Sequence, residues 1–184
     1  MDKSIIIDYY KSVCEAYRLG NVESSYNAPI ITLFEHFGCA ARDLSGERKG
    51  QTGENIDIKL WHSEEEVSET EPFAGIEVKK VGGIDKRALS QIKTEADRYG
   101  NAILTDNLEW RFWRAGDTEM YTGLKLIELD NGKLVLKEEN IEPFYQSGGR
   151  FLTERSDADP FLQQAGRIHG YACTHDPQHH YRHS

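Results

Sequence analysis

The residues of this chain most able to do chemistry are a carboxylate and an ammonium group two positions apart, Glu77 and Lys79, in an apolar segment. Side chains two apart in a strand project from one face, so both charged heads point together while Ile76 and Val78 pack inward. Asp57 projects in the same way from a second alternating segment. Two carboxylates that converge from adjacent strands suit a hard cation such as Mg²⁺ (or Mn²⁺), to which the main-chain carbonyl of Val78 can add a ligand.

Such a site favours hydrolysis of a phosphodiester bond. A cation held there polarises the scissile phosphate and acidifies a water molecule, and a sugar hydroxyl is the leaving group. Lys79 would orient or deprotonate the attacking water, since burial and a nearby cation both lower the pKa of an ammonium group.

The same pattern has a simpler interpretation as an ion pair. An acid two residues before a lysine occurs three times in this chain, at Glu77, at Asp57 (with Lys59) and at Glu47 (with Lys49). Each can be a cross-strand ion pair worth roughly half a kcal/mol. The catalytic interpretation of Glu77 is favoured by its position, in an apolar strand that ends in Gly82-Gly83 and leads into an amphipathic helix.

Hydrophobic periodicity predicts the elements that must position these residues. Three-and-four spacing predicts helices over 5–19, from about 24 to 38, and over 85–99 with Gly100 as the stop. Shorter alternating or apolar segments predict strands over 56–60, 73–81, 102–105 and 110–113, and a hairpin of 124–129 with 133–136 across Asn131-Gly132. Helix, strand, strand, helix, strand, strand is the order of an α/β sandwich around a mixed sheet.

Length and composition bound the class of protein. The 184 residues are about the size of one domain, and 38% apolar with 29% charged residues is typical of globular proteins. No apolar segment approaches the roughly 20 residues that cross a bilayer, and the first residues lack the pattern of a secretory signal. We therefore expect a cytoplasmic protein that does not span a membrane.

The net charge of −9 disfavours a nucleic-acid partner, because phosphate binding relies on lysine and arginine. The charge is unevenly distributed, however. Acids dominate from Glu54 to Glu77, whereas basic residues outnumber acids from Lys79 to Arg114. An acidic metal-binding edge beside a mildly basic helix and strand would have this distribution, and so would an ordinary mixed surface.

The segment from Arg98 to Trp113, Arg-Tyr-Gly-Asn-Ala-Ile-Leu-Thr-Asp-Asn-Leu-Glu-Trp-Arg-Phe-Trp, resembles a known family. It is similar to the Arg-Tyr, Asn, Leu-Ile-Leu-Thr-Asp, Leu-Glu-Phe-Arg pattern of Mrr-like PD-(D/E)xK nuclease domains. These domains stand at the front of large restriction-modification polypeptides that also carry an adenine DNA methyltransferase. The resemblance covers about 23–145 and implies a restriction-endonuclease-like sandwich with an αβββαβ core, in a domain of residues 1–146.

The resemblance also assigns roles to individual residues. Asp57 falls where the family has the Asp of Ala-Pro-Asp, and Glu77-Val-Lys79 falls where it has Glu-Ala-Lys, so these become metal ligands and the catalytic lysine. Glu23, in Glu-Ser-Ser-Tyr, matches the family's Glu-x-x-Tyr and either reaches the metal site or caps a helix. The family's accessory glutamine is Glu95 in this chain, while Gln91 lies one helical turn earlier and is the substitute we consider.

Two functions from different classes follow. The first is a metal-dependent DNA endonuclease of the restriction type, acting on double-stranded DNA with a methyltransferase or specificity domain or subunit, and dimerising on DNA. The second is a catalytically weak or inactive module that uses the nuclease fold for DNA docking or subunit assembly. The net negative charge and the altered glutamine favour the second.

Two further features carry alternatives. Residues 147–184 are polar, and their terminal histidines either belong to a solvated tail or share a transition metal; these are His175, His179, His180 and His183. Trp110 and Trp113 either stack on bases or, as is usual for aromatic residues in a strand, pack in the core.

Overall fold

The computed structural model describes residues 3–44, 56–116, 119–120 and 122–153. The helices of this part are α1 Ser4–Arg18, α2 Asn27–His36, α3 Lys86–Tyr99 and α4 Ile141–Thr153, with 3-10 turns at Glu23–Tyr26, Glu65–Ser68 and Glu138–Asn140. Its strands are β1 Ala40–Asp43, β2 Ile58–Trp61, β3 Ala74–Val78, β4 Asn101–Thr105, β5 Glu109–Arg114, β6 Thr122–Lys125, β7 Ile127–Asp130 and β8 Lys133–Leu136. Within the described ranges, no helix has the length and apolarity needed to span a membrane.

Six strands form one mixed sheet in the order β1-β2-β3-β4-β5-β6. All neighbours in it are antiparallel except β3 and β4, which are parallel. Parallel neighbours need a crossover connection, and α3 supplies it. The predicted α/β architecture, a mixed sheet flanked by helices, is thus confirmed.

Each face of the sheet has its own hydrophobic core. Helices α1, α2 and α4 cover one face, where Ile76 and Val78 are fully buried, and α3 covers the other. Alternation along β3 therefore sends Glu77 toward the α3 side. Trp110 and Trp113 are buried in opposite cores, at 0% and 3% exposure, so they pack as core residues.

Local chemistry sets the ends of α3. The Asp85 carboxylate accepts a hydrogen bond from Ala88 N at 2.8 Å and caps the first turn. Gly100, with φ of 84°, ends the helix in a conformation that side chains disfavour. Both ends lie where the sequence predicts them.

The hairpin predicted across Asn131-Gly132 is confirmed as β7–β8, but its first strand begins at Ile127 rather than Leu124, because the chain changes sheets at Leu126. Strand β6 belongs to the six-stranded sheet and β7 pairs with β8 in a separate hairpin. Leu126 N donates to Leu108 O at 2.8 Å, and Leu126 and Ile127 are both fully buried. Both residues pack in the core covered by α1, α2 and α4, whereas consecutive residues of a continuous strand face opposite sides, so the alternation breaks there.

The boundary expected after residue 146 falls inside α4. This helix continues to Thr153, and Phe151 is 1% exposed, with its ring centroid 4.9 Å from that of Phe112. Gly148, Gly149 and the polar residues around them interrupt the hydrophobic periodicity, so the sequence alone did not predict that the helix extends to Phe151. The four terminal histidines lie outside the described residues.

Candidate active site

The predicted site lies where β2 begins and β3 ends. Ile58 pairs with Ile76 in the antiparallel ladder, so Asp57, one residue before, comes beside Glu77, one residue after. The Asp57 carboxylate Oδ2 also accepts a hydrogen bond from Val78 N at 2.9 Å. The carboxylate of Asp57 is therefore turned toward the Glu77-Val78 stretch of β3.

Lys79 follows directly on β3 and completes the group. Its ammonium Nζ lies 2.5 Å from Glu77 Oε1 and 3.5 Å from Glu23 Oε1. Its main-chain N–H donates to Thr105 O at 2.7 Å, which continues the parallel β3–β4 pairing beyond the strand. The structure thus brings together the three residues predicted from the sequence, together with Glu23.

Burial differs sharply across this group. Asp57 and Glu77 are 4% and 3% exposed, whereas the side chains of Lys79 and Glu23 are 20% and 42% exposed. The two carboxylates therefore form the inner wall of the site, and Lys79 and Glu23 face its opening. Burying carboxylates is costly unless they are paired or bind a cation.

The pKa of Lys79 reports this arrangement. Burial of the ammonium is the largest single influence and lowers its pKa, as the sequence analysis expects. The hydrogen bond to Glu77 and the negative charges of Glu77, Glu23 and Asp57 outweigh burial and raise the pKa above its ordinary value. Among these carboxylates the Lys79 ammonium donates a hydrogen bond to Glu77.

The donor set fits a hard divalent cation. Three carboxylates and one ammonium leave this group of described side chains with excess negative charge. Asp57 and Glu77 offer two carboxylates, the number that Mg²⁺ usually takes from a protein, and the Val78 carbonyl lies in the same stretch. In the part of the chain that the structure describes, no group of three or more His, Cys, Asp or Glu side chains could hold a metal ion, so a cation at this site would have only Asp57 and Glu77 as side-chain ligands.

Glu23 stands at the start of a 3-10 turn, and its carboxylate pairs with Lys79. No side-chain hydrogen bond caps this turn or the start of α2. Of the two roles expected for Glu23, the geometry favours the one at the site over the one as a cap.

On α3, Glu95 is 4% exposed and Gln91 is half-buried. A Cβ atom placed on Gly75 would lie 3.1 Å from the Tyr99 ring, so Tyr99 of α3 packs directly beside Gly75 of β3. One helical turn back from Tyr99 is about 5–6 Å, and two residues along β3 are about 6.6 Å. Glu95 therefore lies at the level of Glu77, and Gln91 lies a further turn away.

The other acid-x-lysine pairs have different surroundings. The Lys59 ammonium lies 5.7 Å from the centroid of the Tyr99 ring, on the α3 side of β2. The pair at Glu47 and Lys49 lies outside the described residues. Lys59 is thus a natural control for Lys79, because both follow an acid by two positions.

Comparison with known proteins adds no relative. The chain matches no protein-family model, no curated protein and no solved structure. Function has to be inferred from the geometry of the site.

Polar residues missed by the sequence analysis hold the main chain just after β3. Asn21 bonds to Val81, Asn107 bonds to Lys79 O, and the Asp106 carboxylate accepts from Gly82 N at 3.2 Å. Burial raises the pKa of Asp106, while hydrogen bonds from backbone N–H groups oppose the rise. In the sequence, Asn21 directly follows the helix-ending Gly20, and Asp106-Asn107 forms a turn between two strands. Both patterns indicate turns and give no sign of contacts to residues 79–82.

Proposed function

We propose that this chain is a Mg²⁺- or Mn²⁺-dependent DNA endonuclease of the restriction type, which hydrolyses phosphodiester bonds at Asp57, Glu77 and Lys79. One observation carries the proposal: two buried carboxylates, Asp57 just before β2 and Glu77 in β3, lie beside a lysine ammonium at the carboxyl end of β3. The resemblance to Mrr-like nuclease domains supports it. The proposed setting is the cytoplasm, with double-stranded DNA as substrate, a methyltransferase or specificity partner and a dimer on DNA.

In this mechanism Asp57 and Glu77, with the Val78 carbonyl, would hold the cation. When bound, it supplies charge neutralisation at the phosphate and an acidified water. Lys79 would orient the attacking water and the phosphate oxygens with the ammonium that lies against Glu77. Glu23 contacts Lys79 from the solvent side of the site, so the ammonium keeps one position between the carboxylates of Glu23 and Glu77.

The outer face of α3 supports duplex DNA as the partner. Its buried face packs on the sheet, and its exposed charged residues are four basic and one acidic: Lys86, Arg87, Lys93, Arg98 and Asp97. This helix begins seven residues after Lys79, so the basic face and the site belong to one continuous segment. A positive face of this kind matches the phosphate backbone, although the whole chain is acidic.

Replacing Lys86, Arg87 and Lys93 together with glutamine is expected to weaken DNA binding on all sequences alike. Each lost phosphate contact should reduce the slope of log affinity against log salt by about 0.9. Fluorescence anisotropy with a labelled duplex over a salt series measures both effects. A matched triple variant at Lys3, Lys11 and Lys133 should bind as the wild type does, and equal loss in both triple variants would contradict this role of α3.

A second candidate is a docking module without catalysis. The buried Glu95 at the level of Glu77 favours it, because another carboxylate replaces the neutral amide that the nuclease resemblance calls for. Such a module would bind duplex DNA without cutting it.

Nicking of supercoiled plasmid tests the proposal. The wild type is expected to cut with Mg²⁺ or Mn²⁺ and not with EDTA, and Asp57→Asn should lower the rate at least a hundredfold. Asn retains an oxygen acceptor for Val78 N–H, so the fold should persist. Asp8→Asn removes an exposed carboxylate and is the control.

Thermal unfolding gives a second measurement that does not depend on cutting. Mg²⁺ at ten times its dissociation constant should stabilise the wild type by about 1.4 kcal/mol and leave Asp57→Asn unchanged. Without metal, Asp57→Asn should be at least as stable as the wild type, because a buried charge is removed. Cutting that persists in EDTA or in Asp57→Asn would overturn the proposal, and DNA binding without cutting would favour the docking module.

A further inference from the structure

We propose that Asn21 and Asn107 are positioning residues for Lys79. Their side-chain amides hold the main chain of residues 79–81 from two sides, and this keeps the ammonium against Glu77. The catalytic consequence rests on the proposed function, whereas the positioning itself can be measured without it.

Asn21 pairs with Val81 as a neighbouring strand would. Its Oδ1 accepts from Val81 N at 2.9 Å, and its Nδ2 donates to Val81 O at 3.3 Å. The Tyr26 hydroxyl donates to the same Oδ1 at 2.7 Å. Asn21 has φ of 55°, a left-handed conformation that asparagine tolerates better than most residues. A single side chain thus satisfies both main-chain groups of a residue that lies beyond the sheet ladder.

Asn107 holds the same segment from the β4–β5 turn. Its Nδ2 donates to Lys79 O at 3.3 Å, and its Oδ1 accepts from the Tyr9 hydroxyl at 2.9 Å. Asn107 is fully buried and has φ of 67°. The arrangement repeats that at Asn21: a left-handed asparagine, oriented by a tyrosine hydroxyl, bonds to the chain that carries Lys79.

Both tyrosines are suited to orient these amides. Tyr26 and Tyr9 are 0% and 4% exposed. Burial raises the pKa of Tyr26 to about 12 and, together with the charge of Asp106 and the nearby Tyr26, raises the pKa of Tyr9 well above its ordinary value. Each hydroxyl therefore keeps its proton and remains a donor at any pH at which the protein would work.

The hydrogen bonds of Asn21 and Asn107 also fix Lys79 relative to its ion-pair partner Glu23. Asn21 stands two residues before Glu23, whose carboxylate lies 3.5 Å from Lys79 Nζ. Holding Val81 to Asn21 therefore fixes the turn that carries Glu23 relative to the segment that carries Lys79. A lysine side chain loses conformational entropy when it is held in one position, so a fixed main chain and fixed partners are needed to hold it.

Asn21→Gly is the sharpest variant, because glycine adopts positive φ and the change removes only the side chain. Asn131→Gly is the matched control, since Asn131 also has positive φ, 48°, but lies in the β7–β8 turn. Asn21→Asp keeps both accepted hydrogen bonds but loses the one donated to Val81 O, so it serves as a partial rescue. Asn107→Gly should act as Asn21→Gly does, with an added loss of stability because Asn107 is fully buried.

Two kinds of measurement apply to the full chain. Asn21→Gly should lower the single-turnover rate of plasmid cutting by about tenfold to a hundredfold, the cost of displacing a reacting group by about 1 Å, with the dissociation constant for duplex DNA unchanged. Asn21→Asp should recover part of that rate, and Asn131→Gly should match the wild type. In ¹⁵N NMR spectra, Asn21→Gly should shift the Lys79 ammonium signal and speed amide exchange at Val81.

The outcomes separate the two proposals. A wild type that does not cut defeats the proposed function, and the NMR arm then decides the positioning alone. An unchanged Lys79 signal and unchanged Val81 exchange in Asn21→Gly would overturn the positioning, whatever the cutting rate. Equal loss of rate and of DNA affinity in Asn21→Gly would overturn it as well, because it would show a role in DNA contact.

Discussion

Lys79→Met is expected to reduce the single-turnover rate of DNA cutting by about a thousandfold, the upper range for removing one charge-stabilising donor from an active site. Methionine preserves most of the length and volume of the side chain but removes the ammonium that lies 2.5 Å from Glu77. Affinity for duplex DNA should change little, because only 20% of the Lys79 side chain is exposed. Plasmid cutting with excess enzyme and duplex anisotropy give the two quantities.

Lys59→Met is the control for this prediction, since Lys59 also follows an acid by two residues but lies over the Tyr99 ring. It should cut at nearly the wild-type rate. Lys79→Met also removes the ammonium that pairs with the buried Glu77 carboxylate, so it is expected to lower the free energy of unfolding. The double variant Lys79→Met with Glu77→Gln should recover stability and remain inactive. Similar rates for Lys59→Met and Lys79→Met would contradict the assignment of Lys79.

Trp110→Ala is expected to lower the free energy of unfolding by about 3–5 kcal/mol, the range for truncating a buried large aromatic residue. Trp110 is 0% exposed, and its ring lies 5.9 Å from those of Tyr9 and Phe34 and 5.3 Å from that of Phe144. It therefore joins the sheet to α1, α2 and α4. Domains of this size have a total stability of only about 5–15 kcal/mol, so the loss is a large fraction of it.

Urea denaturation of Trp110→Ala and of the control Leu19→Ala measures this effect. Leu19 is 67% exposed, so its truncation should change the free energy of unfolding by less than about 0.5 kcal/mol. Trp110→Phe should fall between them. A loss below about 1 kcal/mol in Trp110→Ala would mean that the core closes over the cavity, and the central place of Trp110 would be wrong.

Much of the fold was predictable because its patterns are local. Strict alternation in β3 sets Glu77 on the face opposite Ile76 and Val78, since the side-chain period of a strand is two. Helix α3 has its apolar stripe, its Asp85 cap and its Gly100 stop within one segment. From these segments alone follow the α/β class and the element order, whereas the strand predicted over 73–81 ends at Val78 in the structure, just before Lys79.

The candidate site was predictable only in part. The pairing of β2 with β3, and hence the nearness of Asp57 to Glu77, depends on a ladder between segments with a long intervening loop. The sequence suggested this neighbour, but it contains no local pattern that sets the register. The approach of Glu23 to Lys79 and the net rise in the Lys79 pKa depend on charges from three separate elements.

Taken by itself, the sequence determined which residues face the core and where most helices and strands begin and end, because neighbours in the chain decide periodicity and capping. Tertiary packing alone decided that Asn21 and Asn107 bond to residues 79–81, that the chain changes sheets at Leu126, and that α4 continues past residue 146. Each of these depends on which distant surfaces meet when the two cores close, and the energy of such contacts is absent from any short segment.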